Sequence, residues 1–305
     1  MPVEKDKARS MASHFYAFMK NEVIQGNPRL DSSEQQRLRS HYPLMSKLSH
    51  YSPETAATIY SSRRSHAIKA ILDTELPYVF DAGCGYGSES FLFAGLGAKV
   101  LAVDMSAEQI RIARKRQYYY EEHFEKPLDI TFTVADLDEY KPDTNNVSLT
   151  WLASVLAAVR NQNKFLETTC EATRPKGQVM ITDMNLFNPL FLFKEWSRRQ
   201  QTKKSNLEFA RKSDFWAMIR RQGRTGARYL TGNNARSFDD VQFFSSRSLS
   251  DLLDDTGFVP KFVDFSGFVP PQLWKMGLDH LENVFSRLPF LRQFGYFYLV
   301  AAIKQ

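Results

Sequence analysis

From Val79 to Ser88 the chain reads Val-Phe-Asp-Ala-Gly-Cys-Gly-Tyr-Gly-Ser. An apolar run ends in an acid, Asp81. Gly83, Gly85 and Gly87 then alternate before a helix-like segment opens. Glycine lets the backbone turn sharply and puts no Cβ between main chain and a bound ligand. A strand that runs into such a turn and then into a helix is the entry unit of nucleotide-type α/β folds. The dinucleotide pattern is G-x-G-x-x-G/A. Here the third glycine comes one place early, and Ser88 stands where that pattern has Gly or Ala. Two more acids, Asp104 and Asp136, follow short strand-like runs. Open parallel sheets bind ligands beyond the carboxyl ends of their strands. Asp104 follows the glycines by roughly the distance at which a second-strand acid grips ribose hydroxyls. Three acids at successive strand ends, with a glycine turn among them, therefore describe one nucleotide-like site.

The elements that must position these residues are legible in outline. Residues 1–74 read as polar and helical, with Ser52 as N-cap and Pro53 at the first helical position of one helix. Strand runs follow at Tyr78-Val79-Phe80, at 99–104, at 130–134 and at 147–152. Helices are expected over 89–94, after the Ser106-Ala107-Glu108-Gln109 capping box, and over 165–173. Pro175-Lys176-Gly177 is expected to turn the chain into a strand over 179–182. After Asp183 the alternation stops for about sixty residues without a clear strand, then resumes with a helix over 246–255, a strand over 258–265 and a last strand over 296–303. Alternation at this spacing predicts an α/β fold with a mostly parallel sheet covered by helices.

Asp81 with G-x-G-x-G after it resembles motif I of the class I S-adenosylmethionine-dependent methyltransferases, especially their bacterial small-molecule and lipid-type members. The resemblance covers residues 75–183 and, more weakly, 246–305. It implies a Rossmann-like, seven-stranded sheet whose last strand is antiparallel, and S-adenosylmethionine as cofactor. Carried over by position, Asp81, Gly83, Cys84, Gly85 and Gly87 would line the methionine end. Asp104 would accept the ribose hydroxyls and Met105 would pack on the adenine. Asp136 and Leu137 would meet the adenine edge, and Trp151 with Leu152 would face the sulfonium. Small-molecule members often carry a His near 157–158, where this chain has Ala157-Ala158.

A sulfonium methyl is already activated, so the main work is holding a nucleophile in line and excluding water. A hydroxyl nucleophile still gains from a general base. Among the six histidines, His50 is favoured, because Ser49-His50-Tyr51-Ser52 precedes a helix able to cover the cofactor. Asp183, ending the fifth strand, is the acidic candidate. Cys84 and Cys170 are the only cysteines. They give neither a disulfide framework nor zinc spacing, so no metal is expected, and a reducing, cytoplasmic compartment fits.

The net charge of +6 is concentrated: residues 184–236 hold twelve Lys or Arg against three acids. With Phe187, Phe191, Phe193 and Trp196, this segment reads as a basic, aromatic helical insert over 184–245, a substrate lid set into the core of 75–183 and 246–305, with 1–74 as an N-terminal helical cap. The partner expected is a small-molecule or lipid/glycan-linked acceptor, methylated at a hydroxyl oxygen. The basic insert adds possible peripheral membrane contact. Nucleic acid is the lesser reading, since no Asn-Pro-Pro-Tyr motif or Cys nucleophile follows the fourth strand. The alternatives are an RNA or protein methyltransferase using the basic insert, a non-catalytic cofactor-binding partner, and an NAD(P)-dependent oxidoreductase. The last lacks a Tyr-x-x-x-Lys pair after the glycines. The oligomeric state is left open.

Overall fold

The computed structural model describes residues 2–42, 53–185, 207–208, 227–229, 241–268, 277–278, 281–288, 295 and 297–305. The chain packs as two compact units, Met1–Leu152 with Ala172–Gly177, and Ala153–Glu171 with Gln178–Gln305.

Among the described residues the first unit opens with helices α1 (Pro2–Gln25), α2 (Ser32–His41) and α3 (Pro53–Leu72). Asp31 caps α2 with a full capping box. Its carboxylate accepts from the Ser33 and Glu34 amides, and Glu34 reaches back to the Asp31 amide. Helix α3 begins at Pro53 as expected, whereas Ser52 lies outside the described residues. The βα alternation then runs β1 (Tyr78–Ala82), α4 (Ser88–Gly95), β2 (Lys99–Asp104), α5 (Ala107–Phe124), β3 (Ile130–Val134) and β4 (Val147–Ala153). Strand β1 lies between β2 and β4, parallel to both, and β2 pairs parallel with β3. A strand covered on both faces carries side chains inward on both, and Val79, Phe80, Asp81 and Ala82 are all buried. Ser106 caps α5 by accepting from the Gln109 amide at 3.3 Å.

Among the described residues the chain continues with a 3-10 turn at Leu156–Ala158, α6 (Gln162–Ala172), β5 (Thr173–Met184), which passes from the first unit to the second at Gln178, and then, in the second unit, β6 (Leu207–Glu208), β7 (Ala227–Tyr229), β8 (Val241–Phe243), α7 (Ser246–Asp255), β9 (Phe258–Ser266), α8 (Leu281–Arg287) and β10 (Phe297–Lys304). Strand β10 is antiparallel to β5 on one side and β9 on the other. The seven-stranded order is β3-β2-β1-β4-β5-β10-β9. This is the mostly parallel, Rossmann-like sheet with an antiparallel last strand.

One expectation changes. The chain does not leave the sheet at Pro175-Lys176-Gly177. Strand β5 already starts at Thr173, and the irregularity is absorbed by Lys176 in a left-handed conformation (φ 62). Most of the insert expected to be helical over 184–245 lies outside the described residues; among those described, β6, β7 and β8 form a small antiparallel sheet. These strands hold only two or three residues each, too few to show a period of two. Phe187, Phe191, Phe193, Trp196 and the paired basic residues of that segment fall outside the described residues. Among the described residues no helix is long and apolar enough to cross a membrane.

Candidate cofactor site at the glycine turn

All of the expected cofactor residues belong to the first unit. Strand β1 delivers Asp81 and then breaks into the glycine turn, where Gly83, Gly85 and Gly87 take φ values of 74, 54 and 78. The turn is stitched to β2. The Gly83 and Cys84 amides donate to the Val103 carbonyl at 2.7 and 3.0 Å, and the Gly85 amide donates to Asp104 Oδ2 at 2.9 Å. The Gly87 amide closes the turn on the Cys84 carbonyl at 2.9 Å. At Gly87 a Cβ would also stand 3.0–3.1 Å from Phe91 and Phe132, so only glycine fits both the backbone and the packing.

Asp104 is held at both oxygens. Oδ2 accepts from Gly85 and Oδ1 accepts from the Ser106 amide at 2.9 Å. Each carboxylate oxygen can accept more than one hydrogen bond, so both retain capacity toward a ligand diol. Met105, beside it, is 59% exposed and presents an apolar surface. The Asp136 carboxylate accepts from the Asp138 amide, and its carbonyl accepts from the Glu139 and Tyr140 amides, which shapes the turn after β3 and tucks in Leu137. A fixed acceptor pair, an adjacent apolar face and a turn free of side chains at its glycines suit an adenosyl group, and the residues present fit S-adenosylmethionine.

Asp81 is a different kind of acid. It is buried, and Ser90 Oγ donates to its Oδ2 at 2.5 Å. Burial pushes its pKa up to about 8, with Glu89 and Asp104 adding to the rise against the Ser90 bond. Beside it, Arg64 of α3 donates through Nε to Glu89 at 2.8 Å and lies over the Tyr60 ring at 3.6 Å. The Cys84 thiol is buried and its pKa is raised, so it stays protonated and inert.

Trp151 and Leu152 align with Asp81 and Ala82 across the β1–β4 pair, and both are fully buried. The Trp151 ring packs edge-to-face on Phe93 of α4, with centroids 5.8 Å apart, so its side chain is part of the helix–sheet core. Asp183 belongs to the second unit, buried on β5 opposite Tyr298 of β10. Ala157-Ala158 lie on the 3-10 turn after β4. His50 lies outside the described residues.

One of the six histidines, passed over in favour of His50, stands at the turn. His41 ends α2, its ring edge-on to Tyr42 and Tyr86 with centroids 4.7 and 4.8 Å away. A Cβ placed on Gly85 would lie 3.9 Å from His41 Nε2. The residue borders an open cleft of about 630 Å³ that Arg37, Ser40 and Tyr86 also line. Although the residue as a whole is exposed, loss of water around the imidazole lowers its pKa. Arg116 lowers it further, while Glu89 and Asp104 oppose. Only its place at the end of the Asp31-capped helix, followed by Tyr42, could have marked it in the sequence.

Residues 75–234 match a family model described as a methyltransferase domain. Over 110 residues the chain is 30% identical to the mitochondrial ubiquinone biosynthesis O-methyltransferases of Rattus norvegicus and Homo sapiens. That match covers 35% of this chain and 30% and 28% of theirs, so the chain spans under a third of the curated relatives' length. A SAM-dependent methyltransferase from Methanosarcina mazei shares the fold with a TM-score of 0.50 and 14% identity, over 76% of this chain and 93% of its own. The matched family region holds the glycine turn and all three strand-end acids, and the chain belongs to the methyltransferase-domain family.

Proposed function

We propose that the chain methylates a hydroxyl oxygen on a small-molecule or lipid/glycan-linked acceptor. The observation that carries this reading is the 110-residue likeness to relatives named as O-methyltransferases. When bound, S-adenosylmethionine supplies a methyl group activated by its sulfonium. In this reading Asp104 orients the ribose hydroxyls, and Met105, Asp136 and Leu137 border the adenine. The backbone of Gly83 to Gly87 accommodates the methionine end, with Asp81 facing its amino group. Trp151 and Leu152 support the site from the core.

His41 is the base we assign. A neutral imidazole accepts a hydroxyl proton as the oxygen attacks, and the lowered pKa keeps His41 neutral at physiological pH. Arg37, Tyr42, Tyr86, Glu89, Asp104, Gln109 and Arg116 are the polar and charged groups around it. His50 and Asp183 are the other candidates for proton transfer. The segment 184–245 is the proposed acceptor-side element, flanked by a core of 75–183 and 246–305 and preceded by the helices of 1–74.

The test is methyl transfer from labelled S-adenosylmethionine to separate panels of hydroxylated aromatics, lipid-linked glycans, total RNA and protein, with mass spectrometry locating the methyl group. O-methylated small molecules or lipid-linked glycans are expected. Label confined to RNA or protein would replace this reading with the alternative that uses the basic segment. With an acceptor in hand, His41→Gln should lower kcat roughly 10²–10⁴-fold and remove the acidic limb of the pH–rate profile. An unaltered profile would reject His41 as the base.

A further inference from the structure

Arg116 is a cation with no exposure at all, inside the first unit. From α5 it reaches four groups, one of them the Tyr120 hydroxyl, to which Nη2 donates at 3.2 Å. Its Nε and Nη2 donate to Glu22 Oε1 and Oε2 at 2.8 and 2.6 Å. Its Nη1 donates to the Tyr86 carbonyl at 2.5 Å and to Ser88 Oγ at 3.2 Å. Glu22, on α1, is equally buried, and it also accepts from Asn27 Nδ2 at 2.7 Å and from the Tyr120 hydroxyl at 2.8 Å. The Tyr42 hydroxyl meets Ser88 Oγ at 2.6 Å.

Tyr86 stands between Gly85 and Gly87, in the middle of the glycine turn. Peptide planes beside glycines rotate easily. The plane that carries the Tyr86 carbonyl also carries the Gly87 amide, which closes the turn on Cys84. Arg116 thus holds one anchor of the turn and Asp104, through the Gly85 amide, holds the other. A buried ion pair is a weak source of stability, because Coulomb attraction hardly offsets desolvation and apolar residues fill the same space as well. What the pair adds is direction: a guanidinium forked through Nε and Nη2 on Glu22 has one orientation, and that orientation aims Nη1 at the turn.

We infer that the Glu22–Arg116 pair positions the cofactor turn and makes helix α1 a working part of the cofactor site. The inference rests on the turn holding S-adenosylmethionine. Neither residue touches the cofactor in this scheme; both act through the Tyr86 peptide and Ser88.

The test measures S-adenosylhomocysteine affinity by calorimetry and the unliganded melting temperature in the full chain. The paired change Glu22→Gln/Arg116→Met removes both charges together and leaves none stranded. It should melt within a few degrees of the wild type yet bind S-adenosylhomocysteine about tenfold or more weakly. Arg116→Lys keeps the charge opposite Glu22, but a single ammonium lacks the fork that spans Glu22 and Tyr86 together. It should recover part of the affinity lost with Met. Wild-type affinity in either variant when folded overturns the inference, because a purely structural pair would then be the whole account. A wild type that does not bind S-adenosylhomocysteine overturns the cofactor site itself, and the inference with it.

Discussion

Asp81 and Asp104 end neighbouring parallel strands on either side of one glycine turn, yet their surroundings are opposite. Asp104 is gripped at both oxygens by backbone amides, which hold it still. Asp81 is buried with a single hydroxyl donor, and its carboxyl is pushed up to about 8. The same side chain therefore serves as a rigid acceptor in one place and as a proton reservoir in the other. Position on the strand brought both acids to the site, and the number of amide donors separated their roles.

Removing Asp104 should have the largest effect. Asp104→Ala deletes the ribose acceptor and leaves the Gly85 and Ser106 amides without their partner, so S-adenosylhomocysteine affinity should fall by about 100-fold or more. Stability should drop by about 1–3 kcal/mol. Calorimetry and a denaturant melt read the two separately.

Asp81→Asn should act in the opposite sense on stability. Because the folded-state pKa is raised, the folded protein keeps a proton that the unfolded chain releases between about pH 4 and about pH 8. Stability from this group is thus fully present below about pH 4 and is lost as pH rises toward about 8, with a slope approaching about 1.4 kcal/mol per pH unit. Asn abolishes that slope, so the variant should be as stable as the wild type, or more so, at pH 7. Its cofactor affinity should fall about tenfold, an effect sized for one charge-assisted bond. Melts at pH 5 and pH 8 give the comparison directly.

A subtler difference lies in protons. If the ligand's ammonium draws Asp81 into its charged form, binding at pH 7 should release up to about one proton, seen as a buffer-dependent heat in calorimetry. The release should vanish in Asp81→Asn. Equal heats in all buffers would place the ammonium away from Asp81. The smallest effect is expected at Met105→Ala, a loss of a few-fold in affinity from an exposed apolar contact.

Local sequence carried the elements that rest on local rules. The glycine turn, strand β2, helix α7 and the Pro53 start of α3 follow from turn chemistry, apolar runs and capping, and they stand where expected. The acids were legible because strand ends in a parallel sheet are ligand positions whatever the loops do. His41 was one candidate among six and could not be singled out. It reaches the turn only because α2 packs there, and nothing around residue 41 encodes that contact. The Glu22–Arg116 pair spans 94 residues, and a Glu within a charged helix reads as a solvated face until the partner is seen. The resemblance sets Trp151 where the fourth strand faces the sulfonium, and its side chain packs under α4 against Phe93, a contact its strand position alone does not encode.

The central claim, that this turn holds S-adenosylmethionine, is tested most directly by following backbone amides in NMR while S-adenosylhomocysteine or NADPH is added. Saturable shifts clustered at residues 81–87 and 104–106 with S-adenosylhomocysteine, and none with NADPH, are the expected result. Shifts there with NADPH instead, or S-adenosylhomocysteine shifts that spare this cluster, would contradict it.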